Sequence, residues 1–217
     1  MEGQQVVLGY WKIRGLAQAI RYCLEYADVK YTEVLYEQGE GPEFSRESWL
    51  SEKNNLGLDF PNLPYFIDGD LKFTESNAII RYIAHKWCQS LNGKTNEDFA
   101  KVEMVDGLLN DIKSCVTGHC YRSGDVSLMK KESFPKVEAL VGYLADKNFL
   151  IGDYVTYVDF IFYEIVELLA YATENLIYDS YPILKTYKGN VEKVHGVCDF
   201  IGSERFIIKF NNKIAKI

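Results

Sequence analysis

The sequence of 217 residues has only five prolines, three methionines and three histidines, and no uninterrupted apolar run of membrane-spanning length. Its most apolar stretch, Tyr154 to Ala172, is broken by Asp159, Glu164 and Glu167, whereas a spanning helix needs ~20 predominantly apolar residues. The scattered histidines form no metal motif, and no CxxC pair occurs among Cys23, Cys88, Cys115, Cys120 and Cys198. The start, Met1-Glu2-Gly3-Gln4-Gln5, lacks a basic region followed by an apolar run, so no signal peptide is expected. An odd, irregular set of cysteines without a secretion signal points to reduced thiols and a cytoplasmic protein. Positive charge is also scarce. Lys and Arg number 24 against 31 Asp and Glu, a net charge of -7, and no basic block offsets it. That balance excludes nucleic acid as a general partner, and neither a membrane nor a metal is expected.

What is present is a globular composition, 47% hydrophobic and 25% charged, in a chain long enough for two modest cores. Val6 to Gly9 reads as a buried strand, Tyr10 to Gly15 as a loop, and Leu16, Ile20, Cys23, Leu24 and Ala27 recur at helical spacing. Lys30 to Tyr36, rich in tyrosine and β-branched residues, is a second strand. A glycine-dense excursion follows from Glu37 to Pro42, then a short helix over Trp49 to Lys53. Polar residues from Gln89 to Glu97 mark a linker, after which the alternation stops and helical spacing takes over. The expected division is a mixed α/β domain at residues 1–88 and an all-helical domain at 89–217. Thr156 to Asp159 has the spacing of a capping box, with Val155 able to staple onto Phe160, and Val158, Ile161, Ile165, Leu168 and Ala172 give the following helix a buried stripe.

Asn62 to Ile80 carries three devices in a row. Pro64 opens an aromatic strand, where a proline can take the cis form and leave Leu63 free to offer its N–H and C=O to an extended peptide. Asp68-Gly69 between apolar runs signals a hairpin. Ser76 then begins a helix whose N-terminus offers unpaired N–H groups to an anion. Each device alone is an ordinary turn or cap. Together they suit a small peptide held by its backbone, with one carboxylate at the helix tip.

Leu8 to Ala17, Leu56 to Tyr65 and Ser76 to Ile79 closely resemble the cytosolic glutathione transferases, and the likeness extends over essentially the whole chain. The segment from Glu37 to Trp49 resembles the extra loop of the mu class, and Gly152 with Thr156 to Asp159 matches the cap and staple of the family's core helix. The resemblance implies a thioredoxin-like N-terminal domain, a helical C-terminal domain and a homodimer. It also implies an enzyme that adds the glutathione sulfur to electrophilic, mostly apolar small molecules, with glutathione as co-substrate and no cofactor. A non-catalytic binding or structural protein on the same fold, or a glutathione-dependent isomerase, is the alternative.

Carried over by position, Tyr10 matches the catalytic tyrosine whose hydroxyl donates to the sulfur. Leu63 should hold the cysteinyl backbone, Trp49 and Lys53 the glycine carboxylate with Trp11 and Arg46 nearby, and Ser76 the γ-glutamyl carboxylate. Asn62 should support the loop. Glu75, where the mu class usually has glutamine, can accept from the γ-glutamyl ammonium, and Asp111 would reach the same group from the neighbouring subunit. Leu16, Ser114, Thr117, Tyr121 and Phe210 are the expected electrophile wall. Asn110, Ser114, Thr117 and Gly118 replace larger apolar side chains, which predicts a more open and wetter pocket. Phe60 matches the key that enters the partner, and Arg81 the arginine near the two-fold axis. Arg14 and Lys72 read as ordinary surface charges, and His119 as a structural helical histidine.

Overall fold

The computed structural model describes residues 5–217. The first four residues, on which the reading of a missing signal peptide largely rests, lie outside it.

Strand β1 (Val6–Trp11), helix α1 (Gln18–Tyr26) and strand β2 (Thr32–Tyr36) form the first unit, with β1 parallel to β2. β1 runs two residues further than its apolar core suggests, because Tyr10 and Trp11 stay in register with Leu35 and Tyr36. The excursion after β2 contains the single turn of α2 (Glu47–Leu50), which begins two residues earlier than the spacing predicts. Strand β3 (Tyr65–Asp68) then turns through Gly69, at φ +61, into β4 (Leu71–Thr74), and α3 (Ser76–Trp87) follows at once. The sheet order is β2-β1-β3-β4, with β3 antiparallel to both neighbours. This is a thioredoxin-like domain. Since β3 lies inside the sheet, a peptide can pair only with the residues just ahead of it, where the Leu63-Pro64 bond is cis.

The segment read as a linker is a packed joint. Gln89–Asn92 forms a 3-10 turn whose Leu91 is fully buried. The chain is helical from there: α4 (Asn96–Gly118) running into a π turn (His119–Ser123), α5 (Val126–Leu144), α6 (Tyr157–Ala172), α7 (Leu176–Ser180), α8 (Ile183–Glu192) and α9 (Val197–Ile201). The predicted capping box is present at α6, where the Asp159 carboxylate accepts from the Thr156 N–H at 2.8 Å. The stripe expected on α6 understates its burial. Phe160, Phe162, Tyr163 and Val166 are buried as well, while Leu168 and Ala172 are only partly so. Helices α1, α4, α7 and α8 all pack on α6, so most of its surface is apolar and buried, and the face bearing Glu164, Glu167, Leu168 and Tyr171 is left partly or fully exposed.

Arg14 is not a surface charge. It is 4% exposed and forms a two-bond ion pair with Glu164 of α6, at 2.6 and 3.1 Å. The ring of Phe210 covers its guanidinium at 4.2 Å. Burial is the largest single influence and pulls the Arg14 pKa down, but the Glu164 charge and hydrogen bonds, with smaller contributions from Tyr22 and Tyr163, together outweigh it and hold the guanidinium above its ordinary value. This pair fastens the turn after β1 to the helical half. Lys72 is exposed, as expected, and donates to the Leu56 carbonyl at 3.1 Å.

Candidate active site

Between the two halves lies a cavity of about 470 Å³. Its sheet side is made by Tyr10 and Trp11 at the end of β1 and by Leu16 on the following turn. Arg46, Trp49 and Lys53 close one end. Trp49 is held there by the Tyr65 ring, stacked at 6.1 Å, and by the edge of Tyr36 at 5.4 Å. Asn62, Leu63 and Ser76 make the floor, and Thr117, Tyr121 and Phe210 line the opposite wall from the helical domain.

Three of the predicted residues are not on this wall. Glu75 is exposed, at φ +75, on the N-cap of α3 beside Ser76. Asp111 and Ser114 are exposed on α4. Of the four positions expected to make the pocket wetter, only Thr117 faces it, and Asn110 instead accepts from the Asn77 amide at 2.8 Å. Beside the expected Arg46, Lys53, Asn62 and Ser76, further polar character comes from residues that the sequence did not single out for the site: Asn77, Lys113, Glu164, Asn211 and Asn212. Lys113 could have been found, since it stands one helical turn before Thr117 on the same face of α4.

Leu63 offers less than expected. Its N–H is already donated to the side-chain oxygen of Asn62 at 2.9 Å. A peptide alongside can use the Leu63 carbonyl at once, and the N–H only after the Asn62 amide turns away.

The phenol oxygens of Tyr10 and Tyr121 are each pinned by a backbone N–H, from Leu16 at 3.1 Å and from Asn212 at 3.0 Å. With the oxygen fixed as an acceptor, each hydroxyl hydrogen is left to point elsewhere. Burial pushes the Tyr10 hydroxyl up to about 12, with the Leu16 N–H pulling partly the other way. Tyr10 is therefore a proton-bearing donor at neutral pH and not a base. Burial likewise raises Tyr121. The backbone of Gly15, at φ +40, runs against Tyr10, and a Cβ there would come within 2.7 Å of its oxygen, so this position needs glycine.

Cations are gathered on this surface of an acidic protein. Arg46 and Lys53 line the Trp49 end, and Lys113 reaches in from α4 with its Nζ 3.3 Å from the side-chain oxygen of Asn77. Burial holds the Lys113 pKa below its ordinary value, with the Asp106 charge opposing.

Residues 6–85 match the family model for the glutathione S-transferase N-terminal domain, and residues 110–204 match a glutathione S-transferase C-terminal domain. The chain belongs to the glutathione S-transferase family. It is 39% identical to glutathione S-transferase Mu 1 of Bos taurus over 206 residues, 93% of each chain. It is 40% identical to a glutathione S-transferase of Mesocricetus auratus over 208 residues, 94% of each. Among solved structures, the glutathione S-transferase Blo t 8 superimposes with a TM-score of 0.86 at 26% identity, covering 97% of this chain and 99% of that one. The protein is thus a transferase with mu-class relatives and the family's thioredoxin-like and helical domains, and the resemblance seen in its motifs is borne out. Glutathione is the co-substrate in this family. The non-catalytic and isomerase alternatives are not favoured by these relationships. No helix among the described residues is long and apolar enough to cross a membrane.

Proposed function

We propose that this glutathione S-transferase joins the thiolate of reduced glutathione to electrophilic, mostly apolar small molecules, with Tyr10 as the group that stabilises the thiolate. The observation that carries this is the Tyr10 hydroxyl itself. It is buried at the cavity wall, its oxygen is held by the Leu16 N–H, and its pKa is raised to about 12, so it keeps the proton it must donate. A free thiol has a pKa of about 8.5 and is mostly protonated near neutral pH. A hydrogen bond to a charged group contributes roughly 1.5–3 kcal/mol, or about one to two pKa units, enough to make the thiolate the major form.

The tripeptide lies along the floor, its cysteinyl backbone at Leu63 and its γ-glutamyl carboxylate at Ser76 on the tip of α3. The glycine carboxylate meets Trp49 and Lys53, flanked by Trp11 and Arg46, and Asn62 shapes the loop. Glu75 receives the γ-glutamyl ammonium, together with Asp111 from the neighbouring subunit. Leu16, Thr117, Tyr121 and Phe210 face the electrophile, with Ser114 further out. Residues 1–88 carry the glutathione side and 89–217 the electrophile side of a cytoplasmic homodimer. The exposed Phe60 supports the dimer.

Tyr10→Phe tests the central claim. It removes one donor and little volume, so the fold and glutathione affinity should hardly change. The pKa of the bound thiol should rise by about one to two units, with roughly 10- to 100-fold lower conjugation rate near neutral pH, recovered as pH rises. Thiolate absorbance in the complex reads the shift directly. An unaltered thiolate titration would remove Tyr10 from this role.

A further inference from the structure

Outside the cavity, Cys115 and His119 stand one turn apart where α4 runs into the π turn, and Glu132 faces them from α5. One ligand atom from each lies within 4.8 Å of the others. We propose that Cys115, His119 and Glu132 form a Zn2+ site, with water as the fourth ligand.

The donor set is thiolate, imidazole and carboxylate, the three groups zinc takes, and its sulfur and nitrogen disfavour calcium and magnesium. Two of the three ligand–ligand edges can be set against tetrahedral coordination. At ordinary zinc–ligand distances the N···O edge is about 3.3 Å and the S···O edge about 3.6 Å. Here His119 Nε2 lies 2.8 Å from Glu132 Oε2, and Cys115 Sγ lies 3.7 Å from the same oxygen. Of these two edges, the histidine–carboxylate one has to lengthen by about half an ångström to admit the ion, while the sulfur–carboxylate one already fits, and the sulfur lies within 4.8 Å of the imidazole. The Glu132 side chain is half exposed and can make that movement.

A supporting contact is already built. His119 Nδ1 is 2.8 Å from the Ser123 hydroxyl, which also accepts from the Asp125 N–H at 3.1 Å. With the ion bound, Nδ1–H donates to that hydroxyl and Nε2 presents its lone pair to the metal, the usual arrangement behind a ligating histidine. Binding displaces the thiol proton of Cys115 to solvent. The ion, thiolate and carboxylate then sum to zero charge, which suits a site whose neighbours include Lys131 and Lys136. The sequence hides this site because the i, i+4 pair has its third ligand on another helix.

The test uses the full-length protein stripped with a chelator, titrated with Zn2+ against a chromophoric competitor. Co2+ serves as a second probe, since a thiolate ligand gives a charge-transfer band. One ion per chain is expected. Cys115→Ser should abolish the cobalt–thiolate band, and Cys115→Ser, His119→Gln and Glu132→Gln should each weaken Zn2+ about tenfold or more. Circular dichroism checks their fold, and the exposed position of Glu132 keeps that variant informative if His119→Gln fails. Cys198→Ser, at an exposed cysteine elsewhere, should bind as the parent does. Failure to take up Zn2+, or uptake that survives Cys115→Ser, would overturn the proposal. Neither result bears on the transferase activity, because none of the three ligands lines the cavity.

Discussion

Lys113 brings a partly buried cation to the cavity wall, its pKa lowered by burial against the opposing charge of Asp106, and it makes a long hydrogen bond there to Asn77. Glu164, the carboxylate on the same lining, is already paired with Arg14. The ammonium is therefore best satisfied by an anion from outside, and it stands on the helical wall beside Val116 and Thr117. Electrophiles bearing a carboxylate should be favoured over neutral isosteres. A charged hydrogen bond of roughly 1.5–3 kcal/mol corresponds to a factor of about 10–100. Lys113→Met should raise KM for the carboxylated electrophile by about that factor and change the neutral one by about twofold or less. Should KM for glutathione rise instead, Lys113 belongs to the tripeptide. Residues of this kind were not legible in the sequence. Arg14 and Lys113 look like any surface cations until their surroundings are known, and the partner of Arg14 is 150 residues away. The engagement of the Leu63 N–H by Asn62 depends on a rotamer that no motif specifies.

Elements were legible where their signals are local. The hairpin at Asp68-Gly69, the start of α3 at Ser76 and the capping box of α6 are each written within a few residues, and each formed as expected. What tertiary contact decides was not legible: the burial of α6 beyond its expected stripe, the π turn, and the fixing of Tyr121 by the chain near its C-terminus. Asp159 joins the two kinds of information. Beyond capping Thr156, it accepts from the Leu150 N–H at 2.8 Å and from the Tyr187 hydroxyl at 3.1 Å, so it ties the loop before α6 to α8. It is fully buried. Asp159→Ala would leave several buried donors without an acceptor, at ~1–3 kcal/mol each, and should cost about 3 kcal/mol or more of stability. Asp159→Asn keeps one acceptor oxygen and should cost less. Chemical denaturation, followed by tryptophan fluorescence and by circular dichroism, measures both. Equal stability of the alanine variant and the parent would mean that water replaces the carboxylate.

At the scale of the whole molecule, the single chain leaves an apolar group uncovered. Phe60 is 79% exposed, yet its loop is anchored, since its carbonyl accepts from Thr74 Oγ1 at 2.9 Å. A large ring standing out from a fixed loop is suited to insertion in a partner, and on α4 Phe99 and Met104 are also exposed. Arg81, the other residue expected at the interface, is engaged within its own chain. It is drawn to its own chain by Asp106 at 2.5 Å, by Glu103 at 3.0 Å and by the Tyr157 hydroxyl at 3.2 Å. Burying a phenylalanine contributes roughly 1.5–3 kcal/mol, and two-fold symmetry makes the contact twice. Phe60→Ser should then weaken the dimer by about 3–6 kcal/mol, or roughly 10²- to 10⁴-fold in its dissociation constant. In the proposed dimer Asp111 would link this to function, since it is exposed and off the lining of its own cavity, as a residue serving the neighbouring site would be. On dilution, the Phe60→Ser protein should lose glutathione affinity in step with the loss of dimer mass in light scattering. Asp111→Ala should lower affinity in the dimer and change nothing in the monomer. A Phe60→Ser dimer as stable as the parent removes the key, and a monomer with full glutathione affinity removes the contact from across the interface.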